Sequence, residues 1–254
     1  MRDTRRPTFV TPERSLNTRP GHVDVWATAL DPATPTLARL ERLLDADERA
    51  RAARFVFARD ARRFRVARGT LREILGGYLG VAPADVRFAY AAAGKPALAA
   101  PFTGAGVEFN LSHSGEIALY AIADQRRIGI DVEQIRPLDD LEALAERNFS
   151  AAERRALLAV PPAQRAVAFF ACWTCKEAYI KALGDGLGHP LDSLTVSLGA
   201  GEPARFLEIG GEPAAAARWT LAALDVGAGY EAAVAMDGPA TVRLRGYWEQ
   251  SSSP

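Results

Sequence analysis

The segment Gly129 to Glu133 (GIDVE) carries two acidic residues at alternate positions. Successive side chains of a β-strand point to opposite faces, so a strand here places the carboxylates of Asp131 and Glu133 side by side. Two like charges so close repel each other unless a cation lies between them, and paired carboxylate oxygens commonly hold Mg²⁺ beside phosphate groups. The pattern indicates a magnesium site, and the alternative is a solvated strand face.

A second group of candidate residues lies in the stretch from Trp173 to Lys181. Helical spacing puts Trp173, Glu177 and Lys181, four residues apart, on one stripe of a helix. A single Glu-to-Lys pair at this spacing stabilises a solvated helix only slightly, and such a helix is the alternative reading. An acid, an ammonium group and an aromatic ring on one partly buried face favour a functional site.

The two cysteines of the chain, Cys172 and Cys175, lie in the same stretch. Two thiols do not make the disulfide framework of a secreted protein. A C-x-x-C pair without a second cysteine or histidine pair gives little support for a zinc or redox role. We therefore expect a reducing, cytoplasmic setting.

Two further segments, Gly94-Lys95-Pro96 and Asn110 to Ser114 (NLSHS), offer groups suited to a phosphate. Lys95 in a Gly-Pro turn is a mobile point charge, and Ser112 and His113 at a strand end supply a hydroxyl and an imidazole. The alternatives are a surface turn for Lys95 and a structural histidine for His113.

The stretch from Arg49 to Arg72 holds nine arginines and one acid, Asp60, in a chain whose 31 basic and 31 acidic residues balance. It fits a solvated helix face, an RNA-binding surface or a cradle for a multiply phosphorylated small ligand. The absence of interleaved Tyr or Trp disfavours nucleic acid. Zero net charge gives no general attraction to nucleic acid or anionic membrane.

The elements that must position these residues follow from hydrophobic spacing and turn residues in a chain of 254 residues, 48% of them hydrophobic. No apolar run approaches the ~20 residues of a membrane-spanning helix. Strands are predicted at 22–30, 85–90, 107–111, 117–123 and 128–133, with two helices over about 37–79 and helical sequence over 138–183, broken at Pro161-Pro162. The turn at 124–127 predicts that the last two strands form a hairpin.

The order strand, helices, strands occurs twice, with the second round beginning near Gly129. Asp45 to Phe57 and Phe149 to Leu158 each place a helix start before a charged helical stretch. The repetition predicts an α+β fold, a pseudo-dimer of two similar α/β lobes, and the alternative is one continuous α+β domain. We expect a flexible tail at 1–20, an N-terminal lobe at 21–127, a C-terminal lobe at 128–248 and a loose tail at 249–254.

In order along the chain, four of these motifs resemble the signature of the 4′-phosphopantetheinyl transferases, in particular the larger surfactin-synthetase-activator (Sfp) type. They are Gly94-Lys95-Pro96, Asn110 to Ser114, Gly129 to Glu133 and Trp173-x-x-Lys176-Glu177-Ala178-x-x-Lys181. All three lysines of the chain lie inside them, and its other 28 basic residues are arginines. The resemblance covers roughly Asp45 to Leu187, where Phe55 to Asp60 also looks like the family's N-terminal helix element.

The resemblance implies an enzyme that moves the 4′-phosphopantetheine arm of coenzyme A to a serine of an apo carrier protein and releases adenosine 3′,5′-bisphosphate. The partner would be an acyl carrier protein or a peptidyl or polyketide carrier domain, in fatty acid, polyketide or nonribosomal peptide synthesis. Mg²⁺ is the implied cofactor and coenzyme A the implied substrate. The resemblance also places the active site in the cleft between two lobes, and we expect a monomer with no nucleic-acid or membrane partner.

Carried over by position, Asp131, Glu133 and Glu177 would bind Mg²⁺ on the coenzyme A pyrophosphate, and Glu177 or Lys181 would help to take the proton from the attacking serine. The residues expected to contact coenzyme A are Arg51, Lys95, Ser112, His113, Asp131 and Lys181. Two departures leave phosphate contacts in the arginine-rich stretch open beyond Arg51: Glu48 stands where relatives have a lysine, and Phe64 where some have a small hydroxyl residue.

Three alternative functions remain. An arginine-rich RNA-binding protein would show steep salt dependence and no magnesium-dependent chemistry. A Ser/His hydrolase is disfavoured because the adjacent residues Ser112 and His113 point to opposite faces of a strand and no Gly-x-Ser-x-Gly segment is present. A catalytically inactive coenzyme A binder would bind the ligand and leave a carrier protein unmodified.

Overall fold

The structure, a computed structural model, describes residues 9–10, 16–90, 94–184, 189–198 and 202–248. The helices are α1 (Thr34–Leu43), α2 (Ala46–Ala53), α3 (Ala58–Leu79), α4 (Leu141–Asn148), α5 (Ala151–Ala159), α6 (Arg165–Leu183) and α7 (Pro213–Ala216). The strands are β1 (Phe9–Val10), β2 (His22–Ala29), β3 (Phe88–Tyr90), β4 (Pro96–Leu98), β5 (Val107–Ser114), β6 (Ile117–Asp124), β7 (Ile128–Gln134), β8 (Leu194–Val196), β9 (Phe206–Ile209), β10 (Trp219–Ala223), β11 (Tyr230–Asp237) and β12 (Thr241–Trp248).

The N-terminal lobe is built on a five-stranded sheet in the order β1-β12-β2-β6-β5. β12 runs parallel to both of its neighbours, and the remaining pairs are antiparallel. The apolar stripe of α3 packs on one face of this sheet, where Leu71, Ile74 and Leu75 meet Trp26 of β2 and Tyr120 of β6.

The C-terminal lobe is built on a three-stranded antiparallel sheet in the order β10-β11-β7. The long helix α6 covers one face of it, with Phe170 and Tyr179 in the same buried cluster as Ala233 and Ala235 of β11. The two lobes of mixed helix and sheet confirm the predicted α+β class.

A third apolar cluster joins the two sheets. Val25 of β2 and Leu119 of β6 contribute from the first sheet, and Ile130 of β7 and Val234 of β11 contribute from the second. Along β2, β6 and β11 these side chains alternate with those of the lobe's own cluster, so these strands carry apolar side chains into both of their faces. The lobes therefore share a core.

The predicted hairpin between 117–123 and 128–133 is wrong. β6 already has a partner on each edge, β2 and β5, so the chain cannot add β7 to that sheet. After the turn, in which Gln125 has a positive φ of 49°, β7 pairs with β11 instead. The turn thus carries the chain from the first sheet to the second.

The predicted ends of the lobes also differ from the structure. Within the predicted tail at 1–20, Phe9–Val10 forms a strand beside β12, and Leu16 is buried in the N-terminal core. β12 lies between β1 and β2, so 128–248 is not confined to the C-terminal lobe. The free edge of β2 accepts β12, and β12 in turn offers its outer edge to β1, because unpaired backbone groups at a sheet edge accept a further strand. Residues 1–8, 11–15 and 249–254 lie outside the described residues.

The predicted repetition of helix starts is present as a structural repeat. α2 begins with a capping box in which the Asp45 side chain and Glu48 cap each other's backbone groups, and α5 begins with the same arrangement of Ser150 and Glu153. This reciprocal pairing satisfies two otherwise unpaired N–H groups at a helix start. Each short helix precedes the long helix of its lobe.

Among the described residues, no single helix is long and apolar enough to cross a membrane, although the bent pair Ala151–Ala159 and Pro162–Leu183 passes the same composition test together.

Candidate active site

The position of β7 against α6 depends on Gly129. A Cβ at this residue would lie 2.1 Å from the carbonyl oxygen of Ala178 and 2.4 Å from the amide nitrogen of Ala182, which is closer than a Cβ can approach non-bonded atoms. Only glycine allows this contact between strand and helix. The contact brings Asp131, two residues along β7, to the face of α6 that carries Glu177 and Lys181.

Polar side chains of β5 link it to β7, although the two strands belong to different sheets. The Asn110 side-chain oxygen accepts a hydrogen bond from the Ile130 amide at 2.9 Å. Two residues on, the Ser112 hydroxyl donates to Asp131 Oδ1 at 2.8 Å. Two further on, the Ser114 hydroxyl donates to Glu133 Oε2 at 2.8 Å. The period of two confirms that Asp131 and Glu133 share one face of their strand.

Lys181 of α6 joins these side chains. We call the group formed by Ser112, Ser114, Asp131, Glu133, Glu177 and Lys181 the junction. The ammonium group of Lys181 donates to Asp131 Oδ1 at 2.6 Å and to the Ser112 hydroxyl at 2.9 Å. The predicted residues Ser112, Asp131 and Lys181, which are 69 positions apart at the extremes, therefore meet in one hydrogen-bonded group.

The surroundings of Asp131 and Glu177 disfavour the ionised form of both carboxyl groups. Burial raises the pKa of Asp131, against the opposing effect of Lys181. Burial, followed by the nearby charge of Asp131, raises the pKa of Glu177. Oδ2 of Asp131 and Oε1 of Glu177 are buried without a hydrogen-bond partner among the described residues. Unpartnered carboxylate oxygens of this kind are a donor set that suits Mg²⁺.

Glu133 lies at the outer end of the junction, hydrogen-bonded to Ser114 and 3.5 Å from Arg136. In the part of the chain that the structure describes, no three His, Cys, Asp or Glu side chains converge as metal ligands. The carboxylates thus fit a cation in chemistry and charge, and the full set of Asp131, Glu133 and Glu177 as its ligands stays a prediction.

A pocket of about 320 Å³ opens beside the junction, between α3, the Gly94–Pro96 turn and the end of β5. Ser112, His113 and Lys181 line it, together with Arg51, Phe64 and Tyr90. Partial desolvation, together with the cations Lys181 and Arg63, lowers the pKa of His113. The predicted contacts Arg51, Ser112, His113 and Lys181 thus share one cavity.

Lys95 differs from this group. The neighbouring Gly94 and Pro96 line the pocket, whereas the Lys95 ammonium donates to the carbonyl oxygens of Ile128 and Lys181. Burial lowers the pKa of Lys95, with Glu108 acting in the opposite direction. The structure does not bring this side chain to the other predicted phosphate contacts.

Four of the nine arginines in the arginine-rich stretch form ion pairs with acids from outside it. The buried Glu48 carboxylate binds Arg68 at 2.9 Å and Arg72 at 2.7 Å, while Arg62 pairs with Asp31. Counting charges within the stretch alone overstates its attraction for RNA. The departure at Glu48 is also explained, because this carboxylate anchors α3 from within the protein.

Phe64, the second position at which the sequence departs from the family pattern, lines the pocket and contacts an aromatic ring and a guanidinium group. The Phe55 ring centroid lies 5.5 Å from that of Phe64, and the Arg51 guanidinium carbon lies 5.4 Å from the Phe64 ring centroid. The position therefore contributes an aromatic ring to the pocket, where some relatives are expected to have a small hydroxyl residue.

Trp173 and the two cysteines are core residues. The Trp173 ring stacks on Phe169 at 5.9 Å between centroids, within the C-terminal cluster that also contains Cys172 and Cys175. Burial raises the pKa of both thiols, that of Cys175 to about 12. Trp173 therefore packs α6 into its lobe rather than lining the pocket, and burial disfavours the thiolate form of both cysteines.

Sequence reasoning missed Tyr90 and Arg68 as pocket residues. Arg68 is buried, and its guanidinium donates to the Tyr90 hydroxyl at 2.7 Å and holds that ring at the pocket wall. No local pattern identifies either residue. The linking role of Asn110 and Ser114 was signalled by their alternation with Ser112.

Comparison with known proteins agrees with this two-lobed arrangement. Residues 127–235 match the family described as "4′-phosphopantetheinyl transferase superfamily", and residues 28–125 match the one described as "4′-phosphopantetheinyl transferase, N-terminal". The chain is 47% identical over 184 residues to the 4′-phosphopantetheinyl transferase HetI of Nostoc sp., covering 72% of this chain and 77% of that protein. It is 34% identical over 161 residues to the 4′-phosphopantetheinyl transferase Sfp of Bacillus subtilis, covering 63% and 69%.

Among solved structures, the chain matches the Thermotoga maritima holo-[acyl-carrier-protein] synthase (AcpS) at a TM-score of 0.32 and 21% identity, over 44% of this chain and 62% of that one.

The two-lobed α+β fold, with acidic and cationic groups gathered beside a cavity, and the two family models place this protein in the 4′-phosphopantetheinyl transferase superfamily. The length and identity of the match to HetI then fix the group within that class. The chain belongs to the 4′-phosphopantetheinyl transferase family, as the order of its motifs predicts, and it is a transferase.

Proposed function

We propose that this enzyme transfers the 4′-phosphopantetheine arm of coenzyme A to a serine of an apo carrier protein in a Mg²⁺-dependent reaction that releases adenosine 3′,5′-bisphosphate. The observation that carries the proposal is the junction of Ser112, Asp131 and Lys181, with unpartnered carboxylate oxygens, at the edge of a cationic pocket. Membership of the family supports the reaction class.

The pocket supplies the contacts for coenzyme A. Arg51 and His113 face the same cavity as the Ser112 hydroxyl, so a guanidinium, an imidazole and a hydroxyl are available to phosphate oxygens. The aromatic rings of Phe64 and Tyr90 give the lining of the pocket an apolar surface against which a nucleotide can pack. We assign these residues to coenzyme A binding.

Asp131, Glu133 and Glu177 would hold the magnesium ion. The buried, unpartnered oxygens of Asp131 and Glu177 have the strongest need of a cation. Bound there, Mg²⁺ supplies positive charge to the pyrophosphate oxygens on which negative charge builds up. Glu133 would join it by leaving its hydrogen bond to Ser114.

The transfer needs one bond formed and one broken. The serine oxygen of the carrier protein bonds to the β-phosphorus, and the bridging oxygen leaves with adenosine 3′,5′-bisphosphate. The serine proton needs an acceptor within reach. Glu177 suits this role through its second carboxylate oxygen, since Oε1 is the unpartnered oxygen assigned to the cation.

Lys181 acts differently in this proposal. Its ammonium already donates two short hydrogen bonds, to Asp131 and Ser112, and so serves as a fixed positive charge rather than as a proton acceptor. A charge held in place before the reaction stabilises the developing negative charge without reorganisation. Of the two predicted bases, we therefore choose Glu177.

The partner would be an acyl carrier protein or a peptidyl or polyketide carrier domain, with the enzyme acting as a monomer. Two buried, unpaired thiols, Cys172 and Cys175, support a reducing, cytoplasmic setting.

Intact-mass spectrometry tests the proposal directly. Apo acyl, peptidyl and polyketide carrier proteins are incubated with the enzyme, coenzyme A and Mg²⁺, and with EDTA in place of Mg²⁺. A gain of about 340 Da, the mass of the phosphopantetheine group, that is lost with EDTA is the expected result. No gain on any carrier, together with tight coenzyme A binding by calorimetry, would identify an inactive coenzyme A binder instead.

A further inference from the structure

Lys95 connects the two lobes at the edge of the pocket. It lies in the turn before β4, and its ammonium donates to the carbonyl oxygen of Ile128 at 3.2 Å and to that of Lys181 at 2.6 Å. Ile128 begins β7, and Lys181 lies two residues before the end of α6. One side chain from the N-terminal lobe therefore holds both C-terminal elements that carry the carboxylates and the site lysine.

The chemistry of a helix end explains why an ammonium lies there. The last four carbonyl groups of an α-helix have no partner within the helix, and the negative end of the helix dipole attracts a cation. The carbonyl of Lys181 is one of these groups. Gly184 ends the helix with φ of 82°, and a Cβ added there would lie 3.7 Å from Lys95 Cδ, so the aliphatic part of Lys95 runs along the glycine.

The presence of lysine rather than arginine at position 95 also suits a contact with two separate carbonyl groups. A lysine directs three donors from a single atom towards acceptors on different sides, whereas a guanidinium presents a planar fork. Lys95, Lys176 and Lys181 each donate at least two hydrogen bonds of this diverging kind to groups within the protein. In a chain with 28 arginines, the three lysines occupy sites where one compact cation must bind several separate acceptors.

We propose that Lys95 is a positioning residue, a clasp between the lobes that fixes the end of α6, and with it the ammonium of Lys181, relative to the pocket. This inference rests on the proposed function, in which Lys181 stabilises charge during transfer. The backbone of Lys181 is held by Lys95 while its side chain is held by Asp131 and Ser112. Loss of the first contact lets the second shift, and a shift of about 1 Å at a reacting centre lowers the rate up to about a hundredfold.

Kinetics and binding of Lys95→Met separate this role from direct phosphate binding. Transfer to an apo acyl carrier protein should lose about ten- to a hundredfold in kcat, while the Kd for adenosine 3′,5′-bisphosphate, measured by calorimetry, stays within about twofold. The matched control is Arg51→Met, a pocket cation, which should weaken that Kd by about tenfold or more. Lys95→Met with unchanged kcat and a Kd weakened as much as in Arg51→Met would overturn the proposal.

Amide hydrogen exchange provides a readout that does not depend on activity. Lys95→Met should increase exchange in the last turn of α6 and at the start of β7, and Arg51→Met should not. If Lys95→Met unfolds the protein, Lys95→Gln, which keeps a donor but removes the charge, gives the same comparison. Unchanged exchange in both segments would contradict the proposed clasp. This result would hold whether or not the wild-type enzyme modifies a carrier protein.

Discussion

The helix pair α2–α3 of the N-terminal lobe and the pair α5–α6 of the C-terminal lobe follow one plan with different outcomes. In each, a buried glutamate of the capping box reaches a buried cation on the long helix: Glu48 binds Arg72 at 2.7 Å, and Glu153 binds Lys176 at 2.7 Å. In each, that cation is followed by another glutamate, Glu73 or Glu177. The repeated ion pair fixes how each long helix lies in its lobe.

The two glutamates that follow the cations have different surroundings. Glu73 pairs with Arg39 of α1 and is neutralised. Glu177 lies beside Asp131 and has a buried oxygen without a partner among the described residues. The same local sequence therefore gives a structural ion pair in one lobe and a carboxylate with an unpartnered oxygen in the other, because the element packed against the helix differs.

The comparison is tested most strongly by replacing these two glutamates in turn. Glu177→Gln should lower the transfer rate by about a thousandfold, since it removes a metal ligand and a proton acceptor together. Glu73→Gln, the matched control in the other lobe, should keep transfer within about threefold of wild type. Rates come from the mass-spectrometric assay and folding from circular dichroism. Near-normal turnover by folded Glu177→Gln would contradict the assignment.

The second test compares the two buried ion pairs in free energy of unfolding. Glu153→Gln leaves the fully buried Lys176 without its carboxylate and should lower that free energy by about 3–5 kcal/mol. Glu48→Gln should lower it by less, because Asp45 still binds Arg72 at 2.6 Å and Arg68, which also loses its carboxylate, keeps the Tyr90 hydroxyl as a partner. Urea unfolding measures both, and the double variant Glu153→Leu with Lys176→Met should recover part of the loss. Equal losses in the two single variants would show that Asp45 gives no compensation.

The third test asks whether the anchor of α3 also shapes the pocket. Glu48→Gln loosens Arg68, which holds the Tyr90 hydroxyl at 2.7 Å, so the Kd for adenosine 3′,5′-bisphosphate should rise by about two- to tenfold. Glu153→Gln, compared at a temperature where both variants are folded, should leave that Kd within about twofold. Calorimetric titration of the two variants measures both Kd values. An equal rise of Kd in both variants would mean that either substitution loosens the whole protein, and not the pocket in particular.

The smallest expected effect concerns magnesium and pH. Burial raises the pKa of Asp131 and Glu177, so the metal-free fold gains stability as pH falls through that raised range and loses it as pH rises. Mg²⁺ must displace these protons, and it should raise the melting temperature by about 2–4 °C near pH 8 and by less near pH 5. Calorimetric scans of wild type and Glu177→Gln measure this. An equal magnesium shift in the variant would argue against Glu177 as a ligand.

Local sequence patterns were sufficient for the features that depend on nearby residues. The capping boxes at Asp45 and Ser150, the alternation of Asp131 with Glu133 and the order of the motifs all depend on residues within a few positions of one another. They gave the helix starts, the shared face of the carboxylates and the family.

Predictions that depended on distant partners were less successful. The expected hairpin of β6 and β7 does not form, since β2 already occupies the available edge of β6, and β12 returns from the end of the chain to the first sheet. The arginine-rich stretch appeared as free charge because its acidic partners, such as Glu48, lie outside it. Pairing of strands and charges across the fold leaves no local periodic signal.

The sequence by itself determined which chemical groups are present and which of them share a strand or helix face. The tertiary structure alone decided which groups meet. Gly129 lets α6 approach β7 so closely that Lys181 reaches Asp131, while Lys95 is drawn to the end of α6 instead of the pocket. The physical reason is that a half-buried ammonium lies where packing leaves acceptors unpaired, and those acceptors come from segments up to 86 residues away.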